Sequence, residues 1–415
     1  MNRKDYWSPE TNPETGEKFA RVLEYFHTAH NGSADIDSMI DSPYGEACAR
    51  RMQLRFKYEH DAMGEAAMEY YRGCGLKKEM YDGEDYYARW VILTPVEMET
   101  EEGRKKKYPI VFYNHGGGNS IECEEFSLGF AELAGRDKFM VAYLQNTNWE
   151  NFERVLELIS ERYPLDRERV YLCGYSQGGY QVTSAYFRIP WKLTAVGPCG
   201  NDIYREYDNF NVPYTEEETQ NLKNALVPFM QVVGVCEASS FVPVNDWKPR
   251  KDWGRECSGE TYLDDRRDDS KDPTRIHGGR RRFSDMPVPP EGEDRHEWMI
   301  GRLNKRMDTL NCEPRDSKTC ISYLNTPEDE LHHVLGFYGD KEEIIWHYGY
   351  KYYTLNIWNR EHINAFRYVA VENNPHWPPV LMAELLWDFF KQFRRDGKTG
   401  KIVEEEYRYS FNVTM

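Results

Sequence analysis

Gly174-Tyr175-Ser176-Gln177-Gly178 places a serine between two glycines, each two residues away. A tight strand-to-helix turn of this kind lifts the hydroxyl to the top of a sheet, where it can attack a carbonyl carbon. His115-Gly116-Gly117-Gly118 lies about one strand-helix-strand unit upstream. Consecutive glycines after a strand let backbone N–H groups point into a cavity and hold a negative oxygen. The expected oxyanion donors are Gly117 or Gly118 and Gln177, the residue after the serine. A Gly-x-Ser-x-Gly alone is common in long chains. The glycine loop at the distance the chemistry requires makes nucleophilic acyl transfer the expectation.

That chemistry needs a base. His376 stands in Glu372-Asn373-Asn374-Pro375-His376-Trp377-Pro378-Pro379, just past the alternating stretch Phe366–Val371. A histidine in a loop after the last strand can reach the nucleophile and take its proton. His332 and His333 fall in a polar stretch with no further residue at metal-ligand spacing. The acid that orients the imidazole is expected at Glu237, three residues past the strand 227–234. Asp246 and Asp202 are its rivals. The order Ser176, Glu237, His376 is the α/β-hydrolase order. His115, Tyr175 and Trp377 flank these residues and are expected to contact substrate. No metal or organic cofactor is called for.

The elements that must position these residues are legible around them. Val170–Cys173 reads as a short buried strand before the serine, and the segment from Gly179 as the helix behind it. Tyr108–Asn114 reads as the strand feeding the glycine loop, 137–144 as another core strand, and 149–163 as a helix crossing to the serine strand. Lys77–Pro95 alternates and is expected to give the first antiparallel strands. Val380–Phe393 has helical spacing of its apolar residues. The predicted fold is α/β, with a mostly parallel central sheet flanked by helices.

Four pieces of sequence carry a family likeness. They are His115–Gly118, the run Tyr163–Tyr171 leading into the serine turn, the strand ending at Gly234, and Pro375-His376-Trp377-Pro378 with Trp387-Asp388-Phe389-Phe390 behind it. In these the chain resembles the α/β-hydrolase esterases related to polyhydroxybutyrate depolymerases, a group that includes feruloyl and acetyl xylan esterases. The likeness covers about residues 75–237 and 335–395. It implies Ser176 as nucleophile and His376 as base. At the acid position the family usually has Asp where this chain has Glu237.

Two parts lie outside that likeness. Residues 1–70 are polar and helix-rich (17–27 and 44–71) and are expected to form an extension that packs or assembles. Residues 239–335 are dense with charge at 264–282 and carry prolines near 287–290; only 298–310 reads as an amphipathic helix. An unstructured loop of that length is uncommon in a compact domain, so a lid-like insertion over the pocket is expected, with Trp298 or Met299 facing inward. The aromatic stretch 348–358 reads as a hairpin whose rings line the site or pack the core. The hydrolase core is thus split into 71–238 and 336–400, with a tail at 401–415.

Composition narrows the partners. With 53 basic and 70 acidic side chains the formal charge is -17, which argues against nucleic acid or an anionic membrane surface. No stretch approaches the length of apolar sequence that spans a bilayer. Nine cysteines, none in a C-x-x-C pair, fit a reducing cytoplasmic setting. A secreted setting would follow if a signal peptide has been cleaved. The expected substrate is a small-molecule or carbohydrate ester with a short or aromatic acyl group; a homo-oligomer is compatible with the sequence. A prolyl-oligopeptidase-type peptidase shares the fold but adds a propeller, for which the chain has no repeats. A binding protein that has lost activity is the alternative from another class.

Overall fold

The computed structural model describes residues 42–83, 86–208, 212–235, 262–263, 280–281, 295–315, 331, 335, 337–374 and 376–407. Its centre is a ten-stranded sheet. The strands are β1 (Leu76–Tyr81), β2 (Trp90–Pro95), β3 (Tyr108–Asn114), β4 (Met140–Leu144), β5 (Leu165–Tyr175), β6 (Ala195–Cys199) and β7 (Phe229–Gly234). After a two-residue ribbon, β8 (Tyr262–Leu263) with β9 (Arg280–Arg281), come β10 (Lys341–His347), β11 (Tyr350–Trp358) and β12 (Asn364–Val371). The sheet order is β1-β2-β4-β3-β5-β6-β7-β12-β11-β10. β1, β2 and β4 pair antiparallel, and every pairing from β4 through β3, β5, β6 and β7 to β12 is parallel. This is the α/β-hydrolase fold.

The parallel strands are buried on both faces, as expected of near-continuous apolar runs such as Tyr108–Asn114 and Phe229–Gly234. Alternate side chains go to opposite cores. Val111 and Tyr113 pack on one face, Ile110 and Phe112 on the other. The first face is covered by helices α1 (Pro43–Tyr58), α2 (Glu65–Gly73), α3 (Ile121–Glu125) and α4 (Phe130–Asp137), and by the C-terminal α9 (Met382–Phe390). The second is covered by α5 (Trp149–Arg162), α6 (Gln177–Arg188), α7 (Glu216–Ala225) and α8 (Arg295–Thr309). Two short strands, β13 (Phe393–Arg395) and β14 (Ile402–Glu404), close the described chain.

Of the segments outside the family likeness, α1, α2 and α8 belong to these cores. α1 starts at a Ser42 cap with Pro43 in its first turn, and it buries Tyr44, Cys48, Met52 and Phe56 at four-residue spacing. Burying four such side chains is worth roughly 1.5–3 kcal/mol each before entropy, so α1 is not a detachable arm. α8 falls where helical spacing was read at 298–310. It buries Ile300, Leu303 and Met307, and also the whole Arg306 side chain. That guanidinium donates to the Ile203 carbonyl at 3.0 Å and lies 4.1 Å from the Phe229 ring centroid. Met299 is buried, and Trp298 lies under Arg302.

The aromatic stretch 348–358 is not a hairpin by itself but the turn and second strand of one: β10 and β11 join through Tyr348 and Gly349, both at positive φ. It extends the sheet beyond β12, and the rings of Tyr350, Tyr352 and Tyr353 are buried in the cores. None of the described helices is long and apolar enough to cross a membrane.

Candidate active site

The parallel register brings the chemical residues to one edge. Asn114 pairs with Gly174, Tyr175 with Cys199, and Gly234 with Val371. The loops after β3, β5, β6, β7 and β12 therefore leave the carboxyl ends of the strands side by side, the place where open α/β sheets bind ligands.

Ser176 sits at φ 55°, ψ -120°, between β5 and the first residue of α6. A non-glycine residue held there is strained by about 1–3 kcal/mol, and its surroundings must enforce it. Two contacts do so. The Ser176 N–H donates to the Cys199 carbonyl at 3.0 Å. Gly178 lets α6 press on β3: a Cβ there would lie 2.1 Å from the Asn114 carbonyl oxygen, so any side chain would force the helix away. The Gln177 N–H, in the first turn of α6, has no acceptor within the helix.

The glycine loop runs beside this turn. A Cβ on Gly116 would come within 3.8 Å of Ser176 Cβ, and one on Gly117 within 2.8 Å of Gln177 Oε1. Gly118 has φ 77°, a backbone that favours glycine. The His115 ring braces the loop, with Nδ1 2.9 Å from the Gly116 carbonyl and Nε2 3.0 Å from that of Gln145. Glu124 on α3, which the sequence did not single out, braces it from below. Its buried carboxylate accepts from Asn119 Nδ2 at 2.6 Å and from the Gly116 N–H. Burial pushes this carboxyl up despite Arg55 and His115.

His376 reaches Ser176 from the loop after β12. Its Nε2 lies 2.8 Å from Ser176 Oγ, and the residue is only 7% exposed. The Tyr175 ring, buried, lies 5.3 Å from the imidazole. Trp377 packs against the core, and with Pro378 and Val380 it faces Cys48 and Met52 of α1. Ser176 and His376 thus meet, with Gly116 close to the serine and Gly117 close to Gln177.

The acid candidates divide differently. Glu237 and Asp246 lie outside the described residues, in the chain that follows β7. Asp202, after β6, is buried with its carboxylate 4.0 Å from both Arg205 and Arg302. Among the described residues neither oxygen has a hydrogen-bond partner. Asp202 therefore faces two arginines and accepts no hydrogen bond from His376. Burial raises its carboxyl from 3.8 to about 6, against the pull of Arg302 and Arg205. A raised carboxyl binds protons better in the folded state, so it costs stability as pH rises from about 4 to 6. Asp202→Asn should remove this loss and make the protein more stable above pH 6, by up to about 3 kcal/mol. Melting temperatures of both proteins between pH 4 and 7 measure it; parallel curves would refute it.

No protein-family model and no curated protein sequence matches the chain. Solved structures similar to it include a ferulic acid esterase, 12% identical, covering 38% of this chain and 78% of that chain with a TM-score of 0.30. A fluorophosphonate-binding serine hydrolase of Staphylococcus aureus is also 12% identical, covering 38% and 79% with a TM-score of 0.31. An S-formylglutathione hydrolase from Agrobacterium tumefaciens is 12% identical, covering 40% and 78%, also with a TM-score of 0.31.

Proposed function

We propose that this protein is a serine hydrolase of carboxylic esters. The observation that carries the proposal is the 2.8 Å approach of His376 Nε2 to Ser176 Oγ, with the serine on a strained turn and the glycine loop alongside. Ser176 Oγ attacks the ester carbonyl as His376 Nε2 takes its proton. The N–H groups of Gln177 and of Gly117 or Gly118 hold the oxyanion. Collapse of the tetrahedral intermediate breaks the bond to the alkoxide, which leaves with the proton from His376. Water then gives a proton to His376 and attacks the acyl-enzyme; collapse breaks the bond to Ser176 Oγ, which takes that proton back from His376 as the acid leaves. Glu237, leaving β7 next to the strand that feeds the His376 loop, is the proposed orienting acid.

A fluorophosphonate probe tests the proposal. Labelling at Ser176, located by mass spectrometry, is expected together with cleavage of p-nitrophenyl acetate. Cleavage of a peptide anilide in preference to every ester would indicate a peptidase. An unlabelled serine with no turnover would indicate a binding protein.

The acyl group is proposed to be short or aromatic, and the alcohol to belong to a carbohydrate or polyester. The support is the family likeness of the four motifs and the charged composition of 264–282, which offers little apolar surface to a long chain. Rates on p-nitrophenyl acetate and butyrate should exceed that on octanoate, and methyl ferulate should be cleaved. A rate that climbs steadily with chain length beyond octanoate would refute this preference.

A further inference from the structure

α1 precedes the first strand of the sheet, yet its first turn reaches the histidine loop. Tyr44 is fully buried, and its ring lies parallel to that of Tyr350 with centroids 4.2 Å apart. Its hydroxyl donates to Asn374 Oδ1 at 2.5 Å and receives the Val380 N–H at 3.4 Å. Asn374 in turn donates through Nδ2 to the Trp377 carbonyl at 2.8 Å. One phenol therefore binds residues on both sides of His376, Asn374 before it and Val380 after it. Tyr350 holds the preceding residue, its hydroxyl receiving Asn373 Nδ2 at 2.9 Å.

The far parts of α1 are fixed to the rest of the site's frame. Arg51 pairs with Glu132 of α4 at 2.7 Å, and Arg55 donates to Cys123 Sγ of α3, the helix behind the glycine loop, at 3.1 Å. Burial also drives the Tyr44 hydroxyl well above its ordinary pKa, so it remains a donor across the working pH range. The brace is thus buried and hydrogen-bonded on both sides of His376.

We infer that Tyr44 is a positioning residue for His376, fixing the loop 374–380 so that Nε2 stays in reach of Ser176 Oγ. This rests on the reading of Ser176 and His376 as nucleophile and base. A misplacement of about 1 Å in a reacting group can cost on the order of a hundredfold in rate. The hydroxyl touches no reacting atom, so its loss should lower kcat and leave substrate binding alone.

Tyr44→Phe keeps the ring stack and removes both hydrogen bonds. With p-nitrophenyl acetate, kcat should fall about 10- to 100-fold with KM within about twofold, and fluorophosphonate labelling of Ser176 should slow in step. Asn374→Ala removes the same bond from the loop side and should give a similar fall, also serving if Tyr44→Phe does not fold. The double variant should be little worse than either single one. Phe56→Leu, at the opposite end of α1, should lower the melting temperature without changing kcat at a temperature where the protein is folded. The inference is overturned if Tyr44→Phe, or Asn374→Ala where Tyr44→Phe does not fold, keeps wild-type kcat, or if Phe56→Leu loses as much kcat at equal loss of stability. Ser176→Ala, run in parallel, separates the two failures: an active Ser176→Ala overturns the underlying reading of the site, whereas an inactive one beside a fully active Tyr44→Phe overturns only the brace.

Discussion

Replacing Ser176 with alanine is expected to reduce ester turnover by about a millionfold while the melting temperature stays near that of the parent. The substitution removes one oxygen at a position whose backbone is held by Cys199 and by the close fit of Gly178 on β3, so the turn should survive. His376→Ala should cost about as much, and the double variant no more than either, because nucleophile and base act as one unit. Residual activity over water would reflect the oxyanion donors alone. The assay is p-nitrophenyl acetate hydrolysis by protein free of contaminating esterase, with fluorophosphonate labelling as a second readout. Near-parental activity in Ser176→Ala would dismiss the serine as nucleophile.

Glu237→Gln is expected to lower turnover by about ten-thousandfold, since a neutral amide favours the wrong imidazole tautomer. The argument is one of register. Gly234 at the end of β7 pairs with Val371 at the end of β12, so the chains leaving these strands start side by side. Asp202→Asn should have far less effect on rate, because its carboxylate faces Arg205 and Arg302 and no hydrogen bond joins it to the imidazole. Turnover of Glu237→Gln, Asp246→Asn and Asp202→Asn under one set of conditions decides the matter. If Asp246→Asn is the crippling change, the acid lies further along the chain.

The parts of this molecule that were legible in its sequence are those where chemistry or sterics permit few residues. Gly178 and Gly118 mark places where a Cβ or a negative φ would not fit, and such positions announce themselves. Buried parallel strands such as Phe229–Gly234 stand out as short, nearly continuous apolar runs. β5 was harder to bound. Its first half, Asp166 to Arg169, is charged and partly exposed, so only Val170–Cys173 looked like strand. Nor did the aromatic run 348–358 reveal whether its rings face a ligand or a core, because tyrosine suits both. Tyr44 and Glu124 were illegible for another reason. Their roles depend on partners that only the assembled fold supplies, and a tyrosine or glutamate on a helix carries no local mark of them.

The distance in sequence across which the site is stitched has a consequence for synthesis. Ser176 meets a histidine 200 residues further on, and Tyr44 meets an asparagine 330 residues away. Loop-closure entropy grows so slowly that the longer reach adds less than about 1 kcal/mol. Its larger cost is time, since contacts between distant residues form late in folding. A nascent chain on the ribosome displays the serine and the glycine loop long before residue 376 has been made. If Ser176 and His376 are nucleophile and base, as proposed, such a chain carries the nucleophile without its base. On the proposed reading, activity awaits the pairing of β12 with β7 and the docking of the following loop against α1.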